Sequence, residues 1–208
     1  QPWGKLREID FHRLPIDSKP LIQFTQVAYS LSLRSRVSSQ SNEPLKALIV
    51  SDPAGNLPLA RQEALAVSTI LKQDLLAQVN QVSGESADLN TVKSAMKGVH
   101  LFHYAGHGQF RKNVISDSAL LLADNTQLNI GDILVLPQAP QSVILSACES
   151  AKTDKAFPLE SLGLAQAFAL AGSNVVIAST RPVKDELSRY ITTQLYKSYQ
   201  TSGDFAAA

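Results

Sequence analysis

Cysteine is nearly missing from this sequence, since Cys148 is the single one among 208 residues. A lone cysteine excludes an internal disulfide and a zinc site built from several cysteines. Long apolar runs are also missing: none approaches the roughly 18 to 20 residues of a membrane-spanning helix, and no signal peptide is recognisable. We therefore expect no membrane partner and, by default, a cytoplasmic location. The start at Gln1 and the end in "GDFAAA" indicate a piece of a longer chain.

An excess of one charge is missing as well, because 19 basic residues face 18 acidic ones and no block of lysine or arginine stands out. Binding to nucleic acid through the release of counterions is therefore not expected. The chain contains neither G-x-x-x-x-G-K-[ST] nor G-x-G-x-x-G, which argues against a phosphate cradle. It also lacks the G-x-S-x-G elbow of serine hydrolases. No cofactor is predicted.

What the chain does have is apolar runs that alternate with amphipathic stretches. These runs are apolar almost throughout, which is typical of strands buried on both faces. Strands of this kind that alternate with helices favour an α/β fold with a mostly parallel sheet and helices on both sides. We predict one domain over 1–208, with 1–42 as its extended N-terminal portion. The predicted strands are 45–50, 77–82, 99–106, 141–148 and 174–180.

Local signals add detail to this fold. Asp88 is predicted to be the N-cap of a helix that ends at Met96, and "ADNTQ" supplies the turn of a hairpin within 118–130. The stretch "PLIQFTQVAYSLS" at 20–32 alternates enough for a strand or a hairpin. Helical spacing predicts which residues of the last two helices face inward. They are Leu162, Ala165, Phe168 and Ala169 in one helix, and Leu187, Ile191 and Leu195 in the other.

Three of the four histidines lie in or just before "LFHYAGHGQF". If 99–104 is a strand, His100 and His103 point to opposite faces and cannot share an ion, so a structural role is favoured for each. A remaining metal site from His103, His107 and Cys148 would need a carboxylate ligand in addition, and we predict none. His107 is expected just past the strand, between two glycines that let the backbone turn or approach a ligand, which favours a function.

Cys148 comes at the end of an apolar run and directly before the polar "ESAKTDK". By itself it fits a buried core cysteine, since free cysteine is among the most buried residue types. Its place at a strand end changes this interpretation, because in parallel sheets function gathers beyond the carboxyl ends of the strands. A loop with His107 and a loop with Cys148 at one edge are the minimal parts of a cysteine nucleophile and its base.

The motifs together are similar to a known family. "LFHYAGHGQF", "SDSALLLADN", "VILSACESA" and "LESLGLAQAFALAGSNVVIAST", in this order and spacing, resemble the CHAT domain, a caspase-like cysteine peptidase domain often attached to tetratricopeptide repeats. "FHRLPID" and "SDPAGNLPLARQEA" resemble its N-terminal portion. The sequence departs from the family at Ala151, where glycine is common, and at Arg181, where tryptophan is common.

The resemblance implies a caspase-like three-layer sandwich and a cysteine endopeptidase acting on a protein or peptide substrate. It assigns the catalytic dyad to His107 and Cys148, and the oxyanion hole to the backbone N–H groups of Gly108 and Cys148. It also implies a tetratricopeptide-repeat or other regulatory module as a partner elsewhere in the chain. The rival interpretation is a catalytically silent scaffold of the same fold, controlled by such a module.

The resemblance also implies that the residue two positions before the nucleophile influences substrate preference. Related peptidases that cut after arginine or lysine have aspartate there, whereas this chain has Ser146, whose neutral hydroxyl cannot offset a desolvated cation. Unless Asp52 or Asp185 reaches the substrate pocket, we expect a weak preference for basic residues and favour a small or apolar one. For Asp52 a turn role is favoured, and for Asp185 a helix N-cap.

Overall fold

The computed structural model of the chain describes residues 11–25, 44–109, 118–148, 160–179 and 183–205. Within these ranges, the side chains of residues 12, 148 and 160–162 lie outside the description. The strands are β1 (Pro15–Ile16), β2 (Lys19–Pro20), β3 (Lys46–Ser51), β4 (Gln78–Ser83), β5 (Leu101–Gln109), β6 (Ala119–Leu121), β7 (Gln127–Asn129), β8 (Ser142–Cys148) and β9 (Val175–Ala178). The helices are α1 (Pro58–Gln73), α2 (Leu89–Ala95), α3 (Ile130–Leu134), α4 (Glu160–Ala171) and α5 (Asp185–Ser202).

The main sheet is parallel and has the strand order β4-β3-β5-β8-β9. Its central strand, β5, runs on beyond β3 and pairs antiparallel with β6, which continues into β7. The predicted α/β fold with a mostly parallel sheet is therefore confirmed. Because the strands are parallel, β3, β5 and β8 all end at the same edge of the sheet.

Apolar side chains cover the sheet on both faces and form two cores. One core joins Leu48, Phe102 and Val143 of the sheet to α2, α3 and α4, with Phe168 of α4 fully buried. The opposite core joins Ile49, Leu101 and Ile144 to α1 and α5. The result is the predicted three-layer sandwich. Among the described residues, no helix is long and apolar enough to cross a membrane.

Two local predictions are confirmed by hydrogen bonds. Asp88 is the N-cap of α2, and its Oδ1 accepts from the backbone N–H groups of Asn90 and Thr91 at 2.8 and 3.0 Å. The hydroxyl and then the N–H of Thr91 hold the pKa of Asp88 below its ordinary value. The hairpin β6–β7 turns at Asp124 and Asn125, whose φ angles of 55° and 54° suit these two residue types.

The predicted inward faces of the last two helices are partly wrong. In α5, Leu195 packs against the core as predicted, but Leu187 and Ile191 are each 51% exposed. Thr192 and Tyr196 are buried instead. The sheet face beneath α5 carries the polar His103, so Tyr196, whose hydroxyl lies within hydrogen-bond distance of that ring, faces inward.

In α4, Phe168 is inward as expected. Its buried neighbours are Leu164 and Ala167, whereas the predicted Ala165 and Ala169 are only half-buried. The side chain of Leu162, which was also predicted to face inward, lies outside the described residues.

The N-terminal strand prediction at 20–32 is only partly testable. The described part, 11–25, contains the short ribbon β1–β2 and then a 3-10 turn at Leu21–Gln23, where a strand was predicted. Residues 26–32 lie outside the described residues, as do Ala151, Arg181 and the loop that follows β8.

Tyr104 ties the end of β5 to β6. Its hydroxyl lies 2.7 Å from the carbonyl oxygen of His107 and 2.6 Å from that of Leu121, so the two carbonyls share its one proton. Burial, and then the charge of Asp52, raises the pKa of this hydroxyl far above its ordinary value. The hydroxyl therefore stays a donor at every ordinary pH and fixes the backbone at His107.

Gly106 leaves the space that this hydroxyl needs. A Cβ at position 106 would lie 2.6 Å from Tyr104 Oη, 2.8 Å from Tyr104 Cζ and 3.1 Å from Pro53 Cδ. Real Cβ atoms essentially never come within 3.0 Å of a neighbour, and the Tyr104 hydroxyl is held by two carbonyls. Gly106 lies within β5 and serves close packing, so the turn that was one of the two predicted roles of the glycines is absent at position 106.

We predict that Gly106→Ala destabilises the protein by about 1–3 kcal/mol, the usual cost of overpacking a core. Thermal unfolding measures it. The double variant Gly106→Ala/Tyr104→Phe removes the nearest clashing atom, so its cost should be smaller than the sum of the two single costs. A Gly106→Ala variant as stable as the wild type would contradict this packing account.

Candidate active site

The candidate site is built on the pairing of β5 with β8. These parallel neighbours stay in register from Leu101 opposite Ser142 to His107 opposite Cys148. Adjacent strands lie about 4.8 Å apart, so the backbones of His107 and Cys148 are side by side at the carboxyl edge of the sheet. Both residues were predicted to lie at one edge of the sheet, and the register confirms that their backbones are neighbours there.

The placement of His107 in a loop is wrong, because β5 continues through it to Gln109. Two partners extend the strand: β8 pairs with it as far as position 107, and β6 takes over at Gly108 and Gln109. His107 is half-buried, and its Nε2 lies 2.8 Å from Oδ1 of Asn56, in the loop between β3 and α1. Sequence reasoning missed Asn56, since no local signal relates it to a strand 51 residues away.

His100 and His103 have the structural roles that were favoured for them. The backbone N–H of Lys46 donates to His100 Nδ1 at 3.0 Å, at the start of β3. His103 is fully buried, and its Nδ1 lies 3.2 Å from the hydroxyl of Tyr196, whose ring meets the imidazole edge-on.

A buried carboxylate, Glu63 of α1, lies beneath the site on the α1 and α5 side. It is 3% exposed, and its Oε2 accepts a hydrogen bond of 3.1 Å from the Ser146 hydroxyl. Its Oε1 is 3.2 Å from His103 Nε2, a distance that fits an ion pair although the direction does not fit a hydrogen bond. Burial, and then the charge of Glu63, raises the pKa of Tyr196 well above its ordinary value.

Ser146, the residue two positions before Cys148, points toward this carboxylate. Its hydroxyl also lies 2.8 Å from that of Ser188 on α5. Since Ser146 gives its one proton to Glu63, it accepts from Ser188. Glu63 was not predicted as a site residue, because in the sequence it is one polar residue among several in an amphipathic helix. Its place on the buried face of α1, beside Ala64 and Val67, is the signal that was available.

Asp52 has the turn role that was favoured for it. It is 1% exposed, its Oδ1 accepts from the N–H groups of Asn56 and Leu57 at 2.9 and 2.8 Å, and its Oδ2 lies 3.2 Å from Arg61 Nε. Asp185 is exposed and is the first residue of α5, one position after the N-cap Lys184. The N-cap prediction for Asp185 is therefore off by one residue.

Gly108 lies within β5, opposite Leu120 of β6. It directly follows the His107 carbonyl that Tyr104 holds. Its use as an oxyanion donor, with the N–H of Cys148, stays a prediction. Among the side chains that the structure describes, no three His, Cys, Asp or Glu residues lie close enough together to hold a metal ion.

Comparisons with solved structures identify the fold. The crystal structure of the Arg specific cysteine proteinase gingipain R matches with a TM-score of 0.54 and 15% identity, over 76% of this chain and 37% of that one. A complex of the pro- and mature domains of RgpB from Porphyromonas gingivalis matches with a TM-score of 0.49 and 14% identity, over 74% of this chain and 37% of that one. The chain thus spans little more than a third of these neighbours. At this identity the first match shows a shared caspase-like fold alone.

The comparison with curated proteins gives no match. The family comparison gives one, since the model of the CHAT domain matches residues 1–208. Described parts of the motifs that resemble this family lie on β5, β6, β8 and β9 and on α4, and His107 is in register with Cys148. The chain belongs to the CHAT domain family.

Proposed function

We propose that this chain is a cysteine endopeptidase that cleaves peptide bonds of a protein substrate through His107 and Cys148. The observation that supports the proposal is their register, which sets the backbones of His107 and Cys148 side by side at the carboxyl edge of a parallel sheet. Membership of the CHAT family and the caspase-like fold support it.

The reaction follows from the chemistry of the two groups. His107 accepts the thiol proton of Cys148, and the thiolate attacks the carbonyl carbon of the scissile bond. The resulting imidazolium gives its proton to the leaving amine as the C–N bond breaks, which leaves an acyl group on the sulfur. His107 then takes a proton from water, and the hydroxide attacks the carbonyl carbon of the thioester. The C–S bond breaks, the acid leaves, and the imidazolium returns its proton to the sulfur of Cys148.

Attack by the thiolate, and later by hydroxide, places a negative charge on the carbonyl oxygen. Hydrogen-bond donors that are already in position stabilise this oxyanion. We propose the backbone N–H groups of Gly108 and Cys148 for this role, as the family implies. The shared hydrogen bond from Tyr104 fixes the carbonyl of His107, which belongs to the same peptide unit as the N–H of Gly108. A donor held in this way costs no reorganisation when charge develops, and such donors contribute about 3 kcal/mol each in other acyl-transfer enzymes.

We also propose that the substrate residue before the cleaved bond is small or apolar. The gingipain R neighbour is an Arg specific proteinase, but the likeness at 15% identity does not extend to specificity. In this chain position 146 is serine, and the nearby Glu63 is 3% exposed and already contacts His103. Asp52 is likewise committed to its own loop and to Arg61.

We predict that Cys148→Ala and His107→Ala each lower cleavage of a protein substrate by about 10³-fold or more, because the two groups act as one unit. Initial rates with a casein-type substrate measure this. The double variant should be no worse than either single one. His100→Gln is the matched control, since His100 serves the start of β3 and should leave the rate close to the wild-type value.

Thermal unfolding of each variant is the control that tests whether the fold is kept. Full activity in either the Cys148→Ala or the His107→Ala variant would overturn the assignment of the dyad. A catalytically silent scaffold would show no cleavage by the wild type either.

A library of peptides in which the residue before the cleaved bond is varied over all amino acids tests the substrate preference. We expect cleavage after small or apolar residues, and we expect cleavage after arginine or lysine to be no faster. The reason is that position 146 is serine, so no carboxylate at that position can pair with a substrate cation. A strict requirement for arginine or lysine would contradict this proposal and would mean that the charge of Glu63 reaches the substrate.

A further inference from the structure

The side chain of Asn56 contacts Nε2 of the His107 ring. Its Oδ1 lies 2.8 Å from Nε2, which is a short and well-formed hydrogen bond. A carboxamide oxygen can only accept, so the proton of this bond belongs to Nε2. The contact therefore selects one form of the ring, with Nε2 protonated and Nδ1 left for another partner.

The loop that carries Asn56 is fastened to the strand that carries His107. The N–H of Asp52 donates to the carbonyl of Ala105 on β5 at 2.8 Å. The buried carboxylate of Asp52 then accepts from the N–H of Asn56 at 2.9 Å, and its other oxygen lies near Arg61. The backbone of Asn56 is thus fixed relative to β5, although its side chain is at the surface.

Asp52 supports this geometry through its own conformation. Its φ of 45° is in the left-handed region, which aspartate tolerates better than most residues. Gly55, with φ of 72°, reverses the chain just before Asn56. The sequence "SDPAGN" is therefore a turn built to present position 56 to β5.

We propose that Asn56 is a positioning residue for His107, which fixes the ring in the Nε2–H form and leaves Nδ1 free to exchange a proton with Cys148. This role rests on the proposed function for its catalytic meaning, but the fixing of the ring stands on the hydrogen bond itself. A base held in one tautomer and one orientation needs no rearrangement before each proton transfer.

Variants at position 56 test the catalytic part. Asn56→Ala should lower kcat for peptide cleavage by about 10- to 100-fold with KM nearly unchanged, because the ring is misplaced and the substrate contacts remain. Asn56→Asp keeps the accepting oxygen and should restore most of the rate. Asn90→Ala, an exposed asparagine on α2, is the matched control and should keep the wild-type kcat.

Nitrogen NMR of the His107 ring tests the fixing of the tautomer without any need for activity. Spectra are recorded in a Cys148→Ala background, and the His107 signals are those that vanish in His107→Gln. With Asn56 in place, we expect a single tautomer of His107 with a visible Nε2–H proton. In Asn56→Ala we expect a mixture of the two tautomers, whose ring proton exchanges with water. In Asn56→Asp we expect the single tautomer again. An Asn56→Ala variant with the unchanged ring spectrum would overturn the proposal.

The two measurements keep the possible failures apart. If wild type cleaves no peptide, the proposed function is overturned, while the ring spectrum still decides whether Asn56 fixes His107. If wild type is active and Asn56→Ala keeps its full kcat, the dyad stands and the positioning role of Asn56 is overturned.

Discussion

The register between β5 and β8 is the constraint on which the rest of the site depends. Side chains alternate along a strand, so a slip by one residue would turn every side chain of one strand to the opposite face. Such a slip of β5 would bring Phe102 out of one core and the polar His103 into it. Burial on both faces therefore holds the pairing, and the pairing puts His107 beside Cys148.

Polar groups beneath the site add a second constraint. Glu63 contacts His103 of β5 and Ser146 of β8, and Ser146 in turn meets Ser188 of α5. One buried carboxylate thus links α1, both central strands and α5 within two residues of Cys148. Leaving any of these groups without a partner would cost about 1–3 kcal/mol or more, so the network favours one arrangement of helices over the sheet edge.

The sequence predicted what depends on local chemistry and on apolar runs. The positions of the five parallel strands along the chain, the Asp88 cap and the turn at Asp124 and Asn125 follow from such signals. The wrong or missing parts depend on contacts between distant segments. His107 stays in a strand because two other strands pair with it, the inward face of α5 follows a polar partner on the sheet, and Asn56 meets His107 through a folded loop.

The central claim is that His107 activates Cys148, and labelling by a peptide carrying a thiol-reactive electrophile tests it most directly. Mass spectrometry of the intact chain counts the label, which has one possible cysteine to occupy. We expect rapid labelling of the wild type at neutral pH and a rate at least about 100-fold lower in His107→Ala, because the Cys148 thiol then loses the base that deprotonates it. An inert thiol, or equal rates in the two proteins, would contradict it.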